Sequence, residues 1–279
     1  MSPGISRIAG VAAGLMMFCA GVVPRGYAQA APAVRPTPAK ARVSFRVPSG
    51  LELVDSAYRS SALRGRALLI ATRDSLPRYV GNSLRCASCH LDNGLRPNAM
   101  PWVGSYSRFP QYRARSGRVD LIEDRVNDCF ERSMNGKALP ANGRDMHDIV
   151  AYLAFLSRGI PVGAEMEGQG LLKLQPLIGD TARGVALFVS TCARCHGANG
   201  QGSPLAPPLW GPHSYNVGAG MANVITAASF IHEVMPIDRA QRLSEQQSFD
   251  IARYINSRPR PLFKKKAQDY PQGGRPPGA

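Results

Sequence analysis

The sequence contains the pattern Cys-x-x-Cys-His twice, first over Cys86–His90 and again over Cys192–His196. Two cysteines one helical turn apart can each form a thioether to a vinyl group of haem, and the adjacent histidine then lies under the iron. The two motifs therefore predict two covalently bound haem c groups. The attaching residues are Cys86, Cys89 and His90 for the first haem and Cys192, Cys195 and His196 for the second.

Other uses of paired cysteines fit this sequence less well. A redox-active cysteine pair belongs in a thioredoxin-like βαβ setting, and strand patterns are sparse here. A zinc ribbon needs its two cysteine pairs roughly 15–20 residues apart, whereas Cys86 and Cys192 are 106 residues apart. Two disulfides would not require a histidine after each pair. Haem attachment is thus the interpretation that accounts for both motifs.

The two halves of the chain repeat the same order of elements. Each has an opening helix containing Arg-Gly-x-x-Leu (Arg64–Leu68 and Arg183–Leu187), then the cysteine motif, a long loop-rich stretch and an amphipathic closing helix. The predicted helices cover residues 56–71, 144–156, 181–188 and 244–257, the last with a capping box formed by Ser244 and Gln247. The predicted fold is mainly α: two tandem class I cytochrome c-like domains, each with one covalent haem and long loops.

The N-terminus has the features of a secretory signal. Arg7 precedes an apolar stretch over residues 8–23, and Ala28-Gln29-Ala30 offers the small residues that a signal peptidase reads. We expect cleavage after Ala30 and a periplasmic location, with an uncleaved anchor as the alternative. No later apolar run reaches the roughly 18 residues of a membrane-spanning helix, so no span is expected after cleavage.

Composition and punctuation divide the rest of the chain. Prolines mark a lead-in, glycines mark a connection between the halves, and Lys264-Lys265-Lys266 followed by Pro and Gly marks a tail that we predict to be disordered, with docking as the alternative. The predicted divisions are a signal peptide (1–30), a Pro-rich lead-in (31–50), an N-terminal cytochrome c domain (51–160), a linker (161–178), a C-terminal cytochrome c domain (179–260) and a basic tail (261–279).

The opposite side of the second haem has three candidate ligands. Met235 lies 39 residues after His196 and is followed by Pro236, a Met-Pro step ahead of the closing helix. Methionine in a distal loop is a common second axial ligand of such haems. Met221 and His232 are the alternatives, and Met235 could also be a packing residue.

The same offset in the first half falls on a cysteine. Cys129 lies 39 residues after His90 and is the only cysteine after residue 30 outside the two motifs. A thiolate ligand would stabilise ferric iron and lower the reduction potential. Met134, Met100 and His147 compete for this place, and an inert buried thiol is the other interpretation.

Longer stretches around these residues resemble one family. The segments over residues 84–94 and 125–137, Trp210-Gly211-Pro212-His213-Ser214-Tyr215-Asn216 and Gly218-Ala219-Gly220-Met221 are similar to the periplasmic dihaem thiosulfate dehydrogenases. The resemblance implies Cys129 as distal ligand of an active-site haem in the N-terminal domain and Met235 as ligand of an electron-transfer haem in the C-terminal domain. It also implies the joining of two thiosulfates into tetrathionate, reversible in some members, with electrons passed to a soluble or fused cytochrome c.

Basic residues near Cys129 agree with an anionic substrate. The chain carries 34 Lys and Arg against 19 Asp and Glu, a net charge of +15 that attracts anions in general. Arginine binds oxyanions through a planar fork. Arg118 and Arg125 are candidates from position, Ser133 lies one helical turn after Cys129, and the resemblance implies Arg115 as a substrate clamp. No nucleic-acid partner is expected.

Two other functions are compatible with a dihaem chain. A non-catalytic electron carrier predicts methionine at both irons and no need for clustered arginines. A sulfur-carrier cytochrome subunit would share the cysteine ligand but would work only within a complex. Turnover of thiosulfate by the purified protein separates both from the enzyme.

Overall fold

Helices account for most of the regular structure between residues 40 and 276, the part of the chain that this computed structural model describes. The predicted signal peptide lies outside the described residues. The helices are α1 (Ser56–Ile70), α2 (Thr72–Ser75), α3 (Leu91–Gly94), α4 (Ile122–Arg132), α5 (Arg144–Phe155), α6 (Thr181–Leu187), α7 (Ala193–His196), α8 (Val224–Val234) and α9 (Glu245–Ser257). The strands are β1 (Arg42–Val43), β2 (Gln111–Arg113), β3 (Arg118–Asp120) and β4 (Glu165–Met166). The prediction of a mainly helical fold is confirmed.

In the N-terminal half, the opening helix α1 packs against the closing helix α5. The side chain of Asp55 starts α1 by accepting hydrogen bonds from the backbone N–H groups of Ala57 and Tyr58, at 2.9 and 3.1 Å. Gly65 lets the two helices approach closely, because a Cβ there would lie 1.9 Å from the carbonyl oxygen of Asp148. The predicted opening and closing helices are both confirmed.

The C-terminal half repeats this arrangement. The opening helix α6 and helix α8 both pack against the closing helix α9. The predicted capping box is present, with the backbone N–H of Ser244 donating to the Gln247 side chain at 2.9 Å and the Gln247 N–H donating to Ser244 Oγ at 3.2 Å. The two predicted helices of this half are also confirmed.

The short strands fasten loops to the N-terminal half. β2 and β3 form an antiparallel hairpin directly before α4, and β1 pairs in parallel with β4 in the connecting segment. That segment returns along the first half, since the N–H groups of Asn98 and Met100 donate to the carbonyls of Gly168 and Gly170. The connection is therefore bound to the first half over much of its length.

Each half has its own apolar core, and the two cores meet. Met221 contacts both of them, and it also contacts a smaller cluster in which Phe230 and Val234 of α8 pack with Leu91 and Ala99. Apolar burial across this junction holds the two halves together.

The prediction of a disordered tail is wrong as far as residue 276. Asp269 is buried and forms an ion pair with Arg132, and Lys265 pairs with Glu131. The composition of the tail indicated a solvated segment because lysine, proline and glycine rarely build a core. Here charge pairing with α4 holds the segment in place.

Within residues 40–276, no helix has the length and apolar character needed to cross a membrane.

Candidate functional site

The first cysteine motif lies at one side of a cavity. Cys86, Cys89 and His90 line it together with Cys129. Thr72 fixes the motif, because its hydroxyl accepts from the Cys86 N–H at 3.1 Å and donates to Cys86 Sγ at 3.2 Å. The Nδ1 atom of His90 is bound to the Met100 carbonyl, which leaves Nε2 as the nitrogen for a metal.

Cys129 is presented to this cavity by α4 and lies in contact with the His90 side chain. Its thiol hydrogen-bonds to the His90 side chain and accepts a hydrogen bond from Nη1 of Arg125 at 2.8 Å. Burial alone would raise the pKa of Cys129, but the Arg125 charge and the contact with His90 outweigh burial and lower this pKa to about 7. Burial raises the pKa of Cys86 and of Cys89 to about 12. One thiol of the three therefore has a stabilised thiolate.

The residues present fit a covalently attached haem. Two thiols, an imidazole with one nitrogen already engaged, and a third thiol converge on a space with apolar walls. Met100 and Met134 also line this cavity, whereas His147 is exposed and is not among the lining residues. The apolar lining comprises Leu69, Trp102, Ile122, Val126, Phe130 and Leu153.

The second motif has a similar local arrangement. The Nδ1 atom of His196 lies 2.8 Å from the Pro207 carbonyl, and burial lowers the pKa of His196, which favours the neutral, metal-binding imidazole. Cys192 packs in the same apolar cluster as Met235 and Met221. His232 has its Nδ1 bound to the Leu243 carbonyl at 2.9 Å. These residues fit a second haem. The second site differs from the first because it offers methionine sulfur where the first offers the thiol of Cys129.

A second cavity, rich in arginine, adjoins the first. The two cavities share Arg108, Arg113, Arg125 and Ser133, so they meet beside Cys129. Burial and the charge of Arg125 lower the pKa of both Arg108 and Arg113. Such a cluster has more positive charge than its carboxylates neutralise, and this favours binding of an anion. The arginines that line this second cavity are Arg108, Arg113, Arg115, Arg125 and Arg132.

The structure brings most of the predicted substrate-site residues together. Arg115, Arg125 and Ser133 line the arginine-rich cavity, and Arg125 touches Cys129 directly. Arg118 is not brought there: its side chain is 65% exposed and pairs with Asp120 and Asp124. The β2–β3 hairpin explains the difference, because Arg115 lies in its turn (residues 114–117), whereas Arg118 is the first residue of β3.

Two lining residues carry no sequence pattern that would have singled them out. Arg108 lies in a loop-rich stretch upstream of the hairpin, where its proximity to Cys129 depends on folding. Tyr270 reaches the cavity from the C-terminal tail, 155 residues after Arg115. A count of arginines near Cys129 could have included Arg108, but nothing in the sequence connects Tyr270 to this place.

Comparison with known protein families identifies both domains. Residues 80–162 match a family described as SoxA/TsdA, cytochrome c domain. Residues 179–255 match a family described as cytochrome C oxidase, cbb3-type, subunit III. The predicted pair of cytochrome c domains is thereby confirmed, and such domains imply covalently bound haem c.

The relatives of the whole chain point to one family. A thiosulfate dehydrogenase of Allochromatium vinosum is 43% identical, covering 81% of this chain and 88% of that protein. A thiosulfate dehydrogenase of Psychrobacter arcticus is 40% identical, covering 85% and 75%. The solved structure of the thiosulfate dehydrogenase TsdBA from Marichromatium purpuratum is 39% identical with a TM-score of 0.75, covering 80% of this chain and 51% of that one. This chain thus spans about half the length of the TsdBA chain. With its two cytochrome c domains and these relatives, the chain belongs to the thiosulfate dehydrogenase family.

Proposed function

We propose that this protein is a dihaem enzyme that joins two thiosulfates into tetrathionate and passes the electrons to an external cytochrome c. One observation carries the proposal: Cys129 and His90 line one cavity, and Arg125, which donates to Cys129 Sγ at 2.8 Å, also lines the adjoining arginine-rich cavity. A redox group and an anion site would therefore share one boundary. The family membership of the chain supports thiosulfate as the anion.

Two haems are part of the proposal, each with a different pair of axial residues. A bound haem supplies an iron that accepts one electron at a time. Cys86 and Cys89 would attach the first haem, with His90 and Cys129 as its ligands. Cys192 and Cys195 would attach the second, with His196 and Met235 as its ligands.

The arginines would offset the repulsion between two dianions. Two thiosulfates a few ångströms apart repel one another, and this repulsion grows in a partly buried cavity where water screens poorly. Arg115 and Arg125 can neutralise the oxyanion groups through paired N–H donors. Ser133 Oγ offers a further hydrogen bond at the boundary of the two cavities.

Cys129 would take part in forming the S–S bond. Released from its place as a haem ligand, its thiolate sulfur would bond to the terminal sulfur of one thiosulfate, while two electrons leave singly for the acceptor, giving Cys129 Sγ–S–SO₃⁻. The terminal sulfur of a second thiosulfate would then attack the middle sulfur of this group. The new S–S bond completes tetrathionate, and the bond to Cys129 Sγ breaks so that the thiolate leaves. Charge balances in both steps, and no proton is taken up or lost. Arg125 stabilises the thiolate before the first step and after the second.

Turnover by the purified holoprotein tests the function. With ferricyanide as acceptor, we expect two ferricyanides reduced and one tetrathionate formed for every two thiosulfates consumed. A protein that transfers electrons but leaves thiosulfate unchanged would instead be an electron carrier. Thiosulfate consumption that requires an additional protein would indicate a carrier subunit of a complex.

The second haem's ligand can be tested separately. Because Met235 is assigned to the haem away from the arginine-rich cavity, Met235→Gly should retain thiosulfate affinity while one haem changes its absorption spectrum and potential. The measurement is a spectroelectrochemical titration beside a thiosulfate binding titration. Unchanged spectra in Met235→Gly would assign that iron to Met221 or His232.

We also propose that the enzyme works in the periplasm, on the basis of the signal features in residues 1–30. Fractionation of cells producing the full chain, followed by N-terminal sequencing of the product, tests this location and the cleavage site after Ala30.

A further inference from the structure

After the closing helix α9, the chain stays in contact with the rest of the protein. The Val217 N–H donates to the Pro261 carbonyl at 3.0 Å, and the Phe263 ring then lies over the guanidinium of Arg132, 4.4 Å from its carbon. Residues 269–275, here called the C-terminal strap, continue across α4 and the β2–β3 hairpin. The last part of the C-terminal half therefore reaches the arginine-rich cavity of the N-terminal half.

Asp269 binds the strap to the helix that carries Cys129. Its side chain is 2% exposed and accepts from both Nη atoms of Arg132, at 3.0 and 2.8 Å. Arg132 is held at its other end by Asp128, with Nε 2.9 Å from the carboxylate. Arg132 lies three residues after Cys129 and directly before Ser133, so this double ion pair fixes the end of α4 beside the proposed substrate site.

Tyr270 forms part of the cavity wall. It lines the arginine-rich cavity, and its N–H donates to the Arg115 carbonyl at 2.9 Å. Its ring centroid lies 5.8 Å from the guanidinium carbon of Arg115, within reach of a cation–π contact. The backbone of Tyr270 has φ +62°, a left-handed conformation that is unusual for an aromatic residue and that the neighbouring contacts must maintain.

The surface under the strap has room for it. A Cβ at Gly117 would lie 2.6 Å from Cγ of Pro271, and the carbonyl of Gly117 accepts from the Gln272 side chain at 3.2 Å. Gln272 also accepts from the Tyr112 hydroxyl at 3.1 Å. The strap is thus fastened to the hairpin as well as to α4.

We propose that the C-terminal strap completes the substrate site: Asp269 is a positioning residue that holds Arg132, and Tyr270 is a wall that holds Arg115 toward the anion. This inference rests on the proposed function, because it takes thiosulfate as the anion bound there. It assigns a role in substrate binding to a segment whose composition indicated only a solvated tail.

The test compares variants of the full-length holoprotein. Asp269→Asn keeps the shape of the side chain and removes its charge, and Tyr270→Ala removes the wall. We expect each to raise KM for thiosulfate about tenfold, because hydrogen bonds to charged groups are lost or misplaced, while kcat changes less than about twofold. Tyr270→Phe keeps the ring and should restore the wild-type KM. Lys264→Ala, which removes an exposed positive charge from the same tail ahead of the strap, is the matched control and should leave KM unchanged.

Binding measured without turnover separates the two proposals. Isothermal titration of the fully reduced holoprotein with thiosulfate reports Kd, since the reduced protein cannot accept electrons. A Kd that rises in parallel with KM in Asp269→Asn and Tyr270→Ala, at unchanged haem spectra, supports the strap. Unchanged KM and Kd in both variants, with an active wild type, overturn the strap and leave the proposed function standing. A wild type that binds thiosulfate without oxidising it overturns the proposed function, and the Kd comparison still decides the strap. A wild type that does neither overturns both.

Discussion

The two cytochrome c domains join their opening and closing helices in the same way. In the first, Arg64 of α1 binds Asp148 of α5, and the neighbouring Gly65 lets the helices touch. In the second, Nε of Arg183 in α6 lies 2.7 Å from Asp250 of α9, and a Cβ on Gly184 would lie 2.2 Å from the Asp250 carbonyl oxygen. The repeated Arg-Gly-x-x-Leu thus corresponds to the same helix junction in both domains.

The domains differ in the sulfur-bearing residues that accompany each motif. The first has Cys129, with Arg125 on its sulfur and an arginine-rich cavity beyond. The second places Met235 and Met221 in an apolar cluster. A common scaffold therefore holds both motifs. Under the proposed function, the first site is suited to anion chemistry and the second to electron transfer.

Removing the sulfur of Cys129 should abolish the difference most completely. For Cys129→Gly we expect kcat for thiosulfate to fall by about a thousandfold or more, as for loss of a group that bonds to substrate. One ferric low-spin signal with thiolate character should vanish from the electron paramagnetic resonance spectrum, while haem content stays at two per chain. Activity within a few-fold of wild type would contradict both the ligand and the nucleophile assigned to this residue.

Adding a methyl group at the helix junction tests the similarity of the domains. Gly65→Ala and Gly184→Ala each force a Cβ to within 1.9 and 2.2 Å of a backbone carbonyl oxygen. Because the helices must separate, we expect each to lower the free energy of unfolding by about 1–3 kcal/mol. Thermal unfolding of the two variants at matched haem content is the measurement. A large loss in one and none in the other would show that only one domain depends on this junction.

Under the proposed function, the arginines distinguish the first domain from the second. Arg115→Lys keeps the charge but loses the planar fork, and we expect kcat/KM for thiosulfate to fall about tenfold, with Arg115→Ala approaching a hundredfold. Higher ionic strength should weaken the remaining activity. Arg118→Ala should stay close to wild type, because Arg118 pairs with Asp120 and Asp124 outside the cavity. Equal losses at both positions would restore the sequence-based grouping of these arginines. Arg253→Ala, on the exposed face of α9, controls for loss of one positive charge.

Local patterns predicted the helices and the haem-attachment motifs well, because each pattern determines the structure of the same few residues that form it. Helical spacing of apolar residues, the Ser244–Gln247 capping box and the two cysteine motifs each describe a few consecutive residues. The equal spacing of Cys129 and Met235 after their histidines is likewise visible in the sequence alone. These features could be found without knowing how distant segments meet.

The parts that sequence reasoning missed are contacts between distant segments. Arg118 was grouped with Arg115 by proximity in the chain, but the hairpin directs Arg118 to the carboxylates of Asp120 and Asp124. Asp269 and Tyr270 lie in a stretch whose composition is typical of disorder, and a buried ion pair with Arg132 helps to hold that stretch in place. No local pattern encodes such a pairing, since both partners look like ordinary surface residues.

The smallest expected effect is the pH dependence of the stability that Asp148 and Asp250 contribute to the two helix junctions. Burial alone would raise the pKa of Asp148 and of Asp250, but hydrogen bonds from Ser61 and Arg64 to Asp148, and from Arg183, Gln246 and the Asp180 N–H to Asp250, lower both pKa values. A carboxylate whose pKa is lower in the folded state stabilises the fold fully above its unfolded pKa of about 3.9, and the contribution is lost as the pH falls through the folded value.

We therefore expect Asp148→Asn and Asp250→Asn to unfold about 2–4 °C below wild type at pH 7. This difference should shrink as the pH is lowered below about 4, where the wild-type carboxylates also become neutral. Thermal unfolding followed from pH 7 to pH 3 measures both quantities. A difference in unfolding temperature that persists unchanged at pH 3 would mean that the shape of the side chain, rather than its charge, stabilises the junction. A loss confined to Asp148→Asn would show that the second domain does not depend on the ion pair of Asp250.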